Sequence, residues 1–362
     1  MSSGKGVFKV TKTTQVIKID NKDPDLSRIR EIARAGREGK IVAFPTETVY
    51  GMGAPMSVPQ LSDRLAELKK RPADKPFSYH IAGSDMIDFL TVKRTAELRY
   101  LSRLFWPGPL TLLVLTENQG KIGIRFPRHR LALALINAVG EPFLATSANL
   151  SGETSPTTAE EVLTRLNGQI DYVIDAGKTE LGMDSTVVDL TQKEPALIRR
   201  GAESEAVQKA LECIRDEKFP QKKILFVCTG NSCRSPMAAG WLIHELRRKG
   251  LHNKIEVASC GIGARSGSSA TAEAQLVMKN REVDISAHRS KPCTREDVME
   301  SDLIFAMSTE HFVFITGMVP GIKEKVRVLN IPDPIGMGIM IYEEVLKNIE
   351  KKLTEQWSEI IS

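Results

Sequence analysis

Cys228-Thr229-Gly230-Asn231-Ser232-Cys233-Arg234-Ser235 gathers a thiol, a short flexible loop and an arginine within eight residues. Backbone N–H groups in such a loop converge on one point, and a helix that starts there adds partial positive charge. Arg234 offers a planar fork to two oxygens of a phosphoryl group. The same positive field favours the thiolate of Cys228. This is the chemistry of covalent phosphoryl transfer, in which sulfur attacks phosphorus and water then releases it. The leaving group needs a proton donor. Asp333, held between Pro332 and Pro334 on a turn, is the candidate.

The chain before this loop carries a different set of polar residues. Islands run from Ile41 to Gly51, Lys69 to Pro72, Phe105 to Thr111, Ile122 to Pro127, Thr146 to Gly152 and Asp184 to Asp189, with Arg199-Arg200-Gly201 after them. They place Thr, Lys, Arg, Ser and Asn at strand ends and turns, where polyphosphates and small polar ligands bind on α/β folds.

Elements must hold these residues in place. The apolar run Ile224-Leu225-Phe226-Val227 predicts a buried strand delivering Cys228, and a helical pattern begins at Pro236-Met237-Ala238. Strand runs alternate with helical patterns from there on, which predicts a parallel sheet covered by helices. Upstream, Glu205 to Arg215 reads as an amphipathic helix with Val207, Ala210, Leu211 and Ile214 on one face and Ser204 as its N-cap. The charged segment from Asp216 to Lys223, punctuated by Pro220, reads as a linker.

A chain of 362 residues suits two domains, and 41% hydrophobic with 26% charged residues supplies two cores. The expected division is a first domain over 10–212, a linker over 213–222 and a second domain over 223–362. No apolar run reaches membrane-spanning length, and Met1 to Lys5 carry no signal-peptide pattern. Five cysteines without framework spacing argue for a reducing, cytoplasmic setting. A net charge of +5 permits contact with nucleotides or RNA.

Cys-x5-Arg-Ser opening a helix, with Gly230, Asn231, Ser235 and Pro236 in place, resembles the low-molecular-weight protein-tyrosine phosphatases and the related arginine phosphatases. The resemblance implies a flavodoxin-like parallel-sheet domain in which Cys228 is the nucleophile, Asp333 the acid and then the base, and Arg234 the phosphate clamp. Thr229, Gly230, Asn231, Ser232, Cys233 and Ser235 form the phosphate loop, with Ser235 stabilising the thiolate and Asn231 suited to a left-handed backbone position. His288 matches the histidine that supports the loop, and Cys233 the second cysteine that traps an oxidised nucleophile. Ile335 and Gly336 stand where tyrosine-specific members carry aromatic residues. Ser232 stands where they carry a bulky aliphatic one, which favours phosphoarginine over phosphotyrosine. Arsenate reductases of the same fold need a further cysteine pair, and Cys260 and Cys293 lie far apart in sequence.

Pro-Thr-Glu-Thr-Val-Tyr-Gly, Lys-x-Arg-Pro, Trp-Pro-Gly-Pro-Leu-Thr, Ser-x-Asn and Ser-Thr-Val-Val-Asp, in that order, resemble the YrdC family of L-threonylcarbamoyladenylate synthases over roughly 10–212. The resemblance implies a twisted open α/β sheet with a positively charged cavity. It implies that L-threonine, bicarbonate or CO2, and ATP with Mg2+ give threonylcarbamoyl-AMP and pyrophosphate. The product feeds tRNA threonylcarbamoyladenosine formation through tRNA-modification partner proteins. Lys69, Arg71, Ser147 and Asn149 map onto the family's nucleotide-binding tetrad, and Arg199 onto a nucleotide-side arginine. Thr46, His80, Arg125 and Ser185 map onto the threonine site, with Arg125 as carboxylate partner. Arg200 departs from a frequent proline. The leading expectation is a bifunctional cytoplasmic enzyme with a phosphoprotein substrate for its second half and no membrane segment. The alternative is an RNA-binding module fused to a redox-sensing or phosphate-binding pseudo-phosphatase.

Overall fold

In the computed structural model, which describes residues 13–70, 76–118 and 120–362, the chain divides into two units between Glu212 and Cys213. Ten strands of the first unit join in one sheet: β1 (Gln15–Lys18), β2 (Val42–Pro45), β3 (Tyr50–Pro55), β4 (Ser78–His80), β5 (Leu110–Leu115), β6 (Lys121–Arg125), β7 (Phe143–Ser147), β8 (Tyr172–Asp175), β9 (Thr186–Asp189) and β10 (Ala196–Arg199). Their order across the sheet is β1-β8-β2-β3-β7-β4-β6-β5-β9-β10. Pairing is mixed: β1 and β2 run parallel to β8, whereas β3 runs antiparallel to β2 and β7.

Both faces of the central strands are covered, which is why β2 and β3 are apolar and buried along their whole length. The helices Leu26–Arg37 and Arg130–Val139 pair with each other and lie against β3 and β2. Phe44 and Phe143 meet edge to face with ring centroids 5.4 Å apart. On the opposite side Leu65, Val162 and Leu166, from the helices Leu61–Lys69 and Ala159–Leu166, join Ala43, Met52 and Val173 in one cluster. The period of two along β2 divides Phe44 from Ala43 between these layers.

The helix Ser204–Arg215 begins at Ser204 itself, so this residue is not the N-cap that the sequence predicts. Glu203, with φ of 59°, makes the turn into the helix, and the Ser204 N–H donates to Gly201 O. The expected linker over 213–222 is irregular only over 216–221. Cys213 to Arg215 complete the helix and Lys222 opens the next strand.

The second unit is a parallel sheet of β11 (Lys222–Cys228), β12 (Ile255–Gly261), β13 (Leu303–Ala306) and β14 (Val326–Val328), in the order β12-β11-β13-β14. Alternation along β11 sends Ile224, Phe226 and Cys228 into one apolar cluster and Leu225 and Val227 into another. The first holds Leu242 and Leu246 of the helix Arg234–Arg248 and Val345 of the helix Ile339–Glu355. The second holds Ile315 of the helix Thr309–Met318. Because β11 is flanked by β12 on one side and β13 on the other, the connections diverge above its carboxyl end. Ligands bind at such switch points, and Cys228 stands there.

Candidate active sites

The sequence from Cys228 to Ser235 leaves β11 and turns straight into the helix Arg234–Arg248. Loop carbonyls are held from outside: Cys228 O accepts from Ile262 N–H, Thr229 O from Gly263 N–H, and Ser232 O from Thr271 N–H. Among the described residues the N–H groups of Gly230, Ser232 and Cys233 take no partner within the protein. No side chain caps the helix that follows, so its first N–H groups also point at the loop.

Asn231 locks this shape. Its φ of 53° is the left-handed conformation that asparagine tolerates. Its amide donates to Ser235 Oγ and Ser259 Oγ, each at 2.9 Å, and accepts from Lys291 N–H at 2.9 Å. His288 Nε2 donates to its carbonyl at 2.7 Å. Burial holds the His288 imidazole below the usual histidine range, opposed by that hydrogen bond. Cys228 Sγ receives the Asn231 N–H at 3.2 Å and lies 2.9 Å from Ser235 Oγ. Ser235 Oγ accepts from Asn231, and its own proton is within reach of the sulfur and of Cys260 O, 3.4 Å away.

Arg234 is buried and donates to Thr229 Oγ1 at 3.2 Å, to Ile331 O at 3.3 Å, and to the carboxylate of Asp333. Three of the five guanidinium N–H groups are thus committed, leaving two for a ligand. Asp333 is the more exposed partner of this ion pair. Cys233, also buried, has its thiol 3.3 Å from Tyr342 Oη and 3.6 Å from Thr271 Oγ1. Burial, with Cys233 adding to it, pushes the Tyr342 hydroxyl up to about 12.

Cys260 and Cys293, 33 positions apart in sequence, are neighbours in space. Gly261 bridges Pro292 in parallel, and Cys293 N–H donates to Gly261 O at 2.9 Å. A hydrogen bond from the Cys260 thiol to the Cys293 sulfur, together with burial, raises the Cys260 thiol above its ordinary range. Separation in sequence therefore fails as a reason to set this pair aside, although both thiols sit in the core behind the loop. Gly261 itself lies against the loop. A Cβ there would stand 2.5 Å from Thr229 O and 2.8 Å from Asn231 N, both backbone atoms. Gly261→Ala is expected to displace the loop, lowering inorganic phosphate affinity at least about tenfold and stability by about 1–3 kcal/mol. Calorimetric phosphate titration and thermal melting check both effects.

In the first unit Lys69 ends its helix and points at the turn after β7. Its Nζ donates to Ser147 O at 2.6 Å, Asn149 Oδ1 at 2.8 Å and Asn149 O at 2.9 Å. Ser147 Oγ donates to Asn149 Oδ1 at 2.7 Å, and Asn149 Nδ2 to Glu153 O at 2.6 Å. Arg71 lies outside the described residues. A cavity of about 560 Å³ opens beside Asn149, lined also by Glu153, Ser155, Glu161 and Arg165.

A second group forms where strand register brings His80, Arg125 and Thr111 side by side on β4, β6 and β5. Arg125 donates to Thr48 Oγ1 at 2.7 Å and faces the Glu47 carboxylate at 2.9 Å. Thr46 Oγ1 donates to Val49 O at 2.7 Å and so shapes the turn carrying Glu47 and Thr48. Ser185 Oγ lies 2.8 Å from Thr111 Oγ1 and accepts from Arg199 at 2.9 Å. Among the described residues both Glu47 oxygens, Arg125 Nε, and Nδ1 of His80 and of His129 are buried with no aligned hydrogen bond inside the protein. Orphaned polar atoms this concentrated mark where a polar ligand's groups would sit. The sequence reading missed Glu47, Thr48, Thr111, His129, Ser259, His311 and Tyr342. Glu47, Thr48 and Thr111 all stand inside motifs the sequence displays and were within reach; the folded strand order adds that Thr111 lies beside Arg125.

Burial, reinforced by Arg125, pushes His80 down to about 3, and burial pushes His129 down to about 4 against the opposing Glu47 charge. An unfolded chain protonates these rings near the ordinary 6.5, so the folded state binds fewer protons between the two values. Their stabilisation is complete above about pH 6.5 and is lost progressively as pH falls toward the folded values. The first unit is expected to melt at clearly lower temperature at about pH 4.5 than at about pH 7, with His80→Gln shrinking the difference.

Residues 34–201 match the family model of Sua5, YciO and YrdC proteins, described as Telomere recombination. Residues 223–361 match that of the low molecular weight phosphotyrosine protein phosphatases. A threonylcarbamoyl-AMP synthase of Pyrococcus abyssi is 42% identical over 198 residues, covering 52% of this chain and 58% of that protein. A threonylcarbamoyl-AMP synthase of Vibrio vulnificus is 29% identical over 187 residues, covering 49% of this chain and 100% of that protein. The crystal structure of P. abyssi Sua5 complexed with L-threonine aligns at 27% identity with a TM-score of 0.52, over 87% of this chain and 99% of that one. The chain spans about half the length of several curated relatives that it matches. Among the described residues no helix is long and apolar enough to cross a membrane.

Proposed function

From the premise that this chain belongs to the Sua5, YciO and YrdC family in its first part and to the low molecular weight phosphatases in its second, we propose that it is a bifunctional enzyme. Its first unit forms threonylcarbamoyl-AMP from L-threonine, bicarbonate or CO2, and ATP, and its second hydrolyses protein-borne phosphate through a phosphocysteine. One observation carries the reading: each unit separately holds polar groups that find no partner within the protein. These are Glu47 Oε2, Arg125 Nε and His80 Nδ1 in one, each without a hydrogen bond, and the N–H groups of Gly230, Ser232 and Cys233 in the other.

In the first unit the threonine carboxylate joins Arg125, and the ligand's hydroxyl and amine meet Thr46, His80 and Ser185. The neutral amine takes up CO2 as a carbamate. A carbamate oxygen then attacks the α-phosphorus of ATP, and pyrophosphate leaves. ATP enters as its Mg2+ complex, the ion carried by phosphates and water. Lys69 holds Ser147 and Asn149 in one turn and lends its charge there, while Arg71 and Arg199 take phosphate charge. The product serves tRNA threonylcarbamoyladenosine formation through partner proteins.

In the second unit Cys228 Sγ bonds to phosphorus as the ester or phosphoramidate bond breaks, with Asp333 giving its proton to the leaving group. Water then attacks phosphorus, the S–P bond breaks, and Asp333 recovers a proton. Asp333 must first leave Arg234 and take up a proton from water, and a phosphoryl dianion competing for the guanidinium supplies that exchange. Small and polar, Ser232 favours phosphoarginine over phosphotyrosine. Side-by-side hydrolysis of phosphoarginine and phosphotyrosine proteins tests this preference, and faster phosphotyrosine turnover overturns it. Pyrophosphate release that requires both threonine and bicarbonate tests the synthase reading.

A further inference from the structure

We propose that His311 is a positioning residue of the phosphate site, setting Arg234 through the hydroxyl of Thr229; this rests on the phosphatase reading above. His311 is buried in the first turn of the helix Thr309–Met318. Its Nε2 lies 3.0 Å from Thr229 Oγ1 and its Nδ1 lies 2.8 Å from Ser308 Oγ. The Arg234 guanidinium can only donate. Thr229 Oγ1 accepts from Arg234 Nη2 and forms a second hydrogen bond with His311 Nε2, as donor or acceptor according to the imidazole tautomer. His311 Nδ1 takes the complementary role toward Ser308 Oγ, so the neutral ring is held at both nitrogens. The bonds from Ser308 through His311 hold the Thr229 rotamer, and with it the oxygen that receives Arg234.

A separate feature of the helix agrees. Ser308 occupies the N-cap position, where a serine side chain normally bonds a helix N–H, yet it makes no capping bond. Its hydroxyl serves His311 instead. The groups around the imidazole are Ser308 and Glu310 from its own segment, Thr229 and Arg234 from the phosphate loop and following helix, and Asp333 from the proline-flanked turn. Burial first, then the Arg234 charge, hold His311 below the usual histidine range, in keeping with the neutral tautomer.

The consequence concerns the liganded state. Arg234 is held by Asp333, Ile331 O and Thr229. Once phosphate draws Arg234 away from Asp333, Thr229 and Ile331 O alone anchor the guanidinium. A Thr229 hydroxyl freed from His311 would be able to rotate and lose its aim at Arg234.

A double-mutant cycle on the full chain tests this, read as affinity for inorganic phosphate by calorimetry. His311→Ala and Thr229→Val are each expected to weaken binding about tenfold, and the double variant no further than either single one. His311→Asn, whose amide can donate or accept, should stay within about threefold of the native chain. A purely structural role would instead persist in the Thr229→Val background. Losses that multiply in the double variant, or an unchanged affinity in His311→Ala, overturn the proposal. If His311→Ala melts below the assay temperature, His311→Phe, which neither donates nor accepts, runs the same cycle. Hydrolysis of p-nitrophenyl phosphate by the native chain is followed alongside. Its absence refutes the phosphatase reading, while the binding cycle still decides the role of His311.

Discussion

Cys228→Ser is expected to lower phosphomonoester hydrolysis by on the order of 10⁴-fold or more, as removal of a nucleophile does, while threonine-dependent pyrophosphate release continues at the native rate. The loop should survive the change. Asn231 is held by Ser235, Ser259, Lys291 and His288 rather than by the sulfur alone. A serine hydroxyl has the size to sit beside the Asn231 N–H and Ser235 Oγ, and the cradle for phosphate remains. What disappears is the sulfur that attacks phosphorus. Stopped or steady-state assays with p-nitrophenyl phosphate measure the loss, and calorimetry with inorganic phosphate should show near-native binding. Hydrolysis that persists unchanged in Cys228→Ser removes the covalent mechanism.

Lys69→Ala is expected to reduce pyrophosphate release by on the order of 10³-fold, the scale seen when a charge-stabilising donor is removed from an active site. The side chain is 2% exposed and supplies donors to Ser147 O, Asn149 O and Asn149 Oδ1. Removing it leaves these acceptors facing one another, at roughly 1–3 kcal/mol for each buried group left unpaired. Hence the variant should lose stability as well as turnover. Lys69→Arg should not restore activity, because a planar fork cannot converge on acceptors gathered around one nitrogen. Measurement of kcat, KM for ATP and melting temperature on the three proteins separates the two contributions. Near-native turnover in Lys69→Ala would show that the turn holds without it.

The loop from Cys228 to Ser235 was legible because its chemistry is local: nucleophile, clamp and helix start lie within eight residues, and Asn231 advertises its own left-handed backbone. The strands around it were legible from the apolar run over Ile224 to Val227. Contacts created by parallel pairing were not. Cys293 reaches Cys260 because Pro292 bridges Gly261, and no spacing rule announces a bridge across 32 residues. His311 sits 83 residues beyond Cys228, in a Ser-Thr-Glu-His stretch that reads as an ordinary helix start. In the first unit the polar islands were visible, but their grouping depended on strand order. Thr111 and His80 flank Arg125 only because β5 and β4 both pair with β6. Lys69 was legible as a cation and not as the residue that ties the Ser147–Asn149 turn.

The measurement that reaches the centre of the account is pyrophosphate release from ATP by the purified Cys228→Ser chain, with L-threonine and bicarbonate each supplied or withheld. Two independent sites in one chain predict release at the native rate when both are supplied and none when either is withheld. Release that ignores threonine, or that vanishes with the Cys228 thiol, would contradict it.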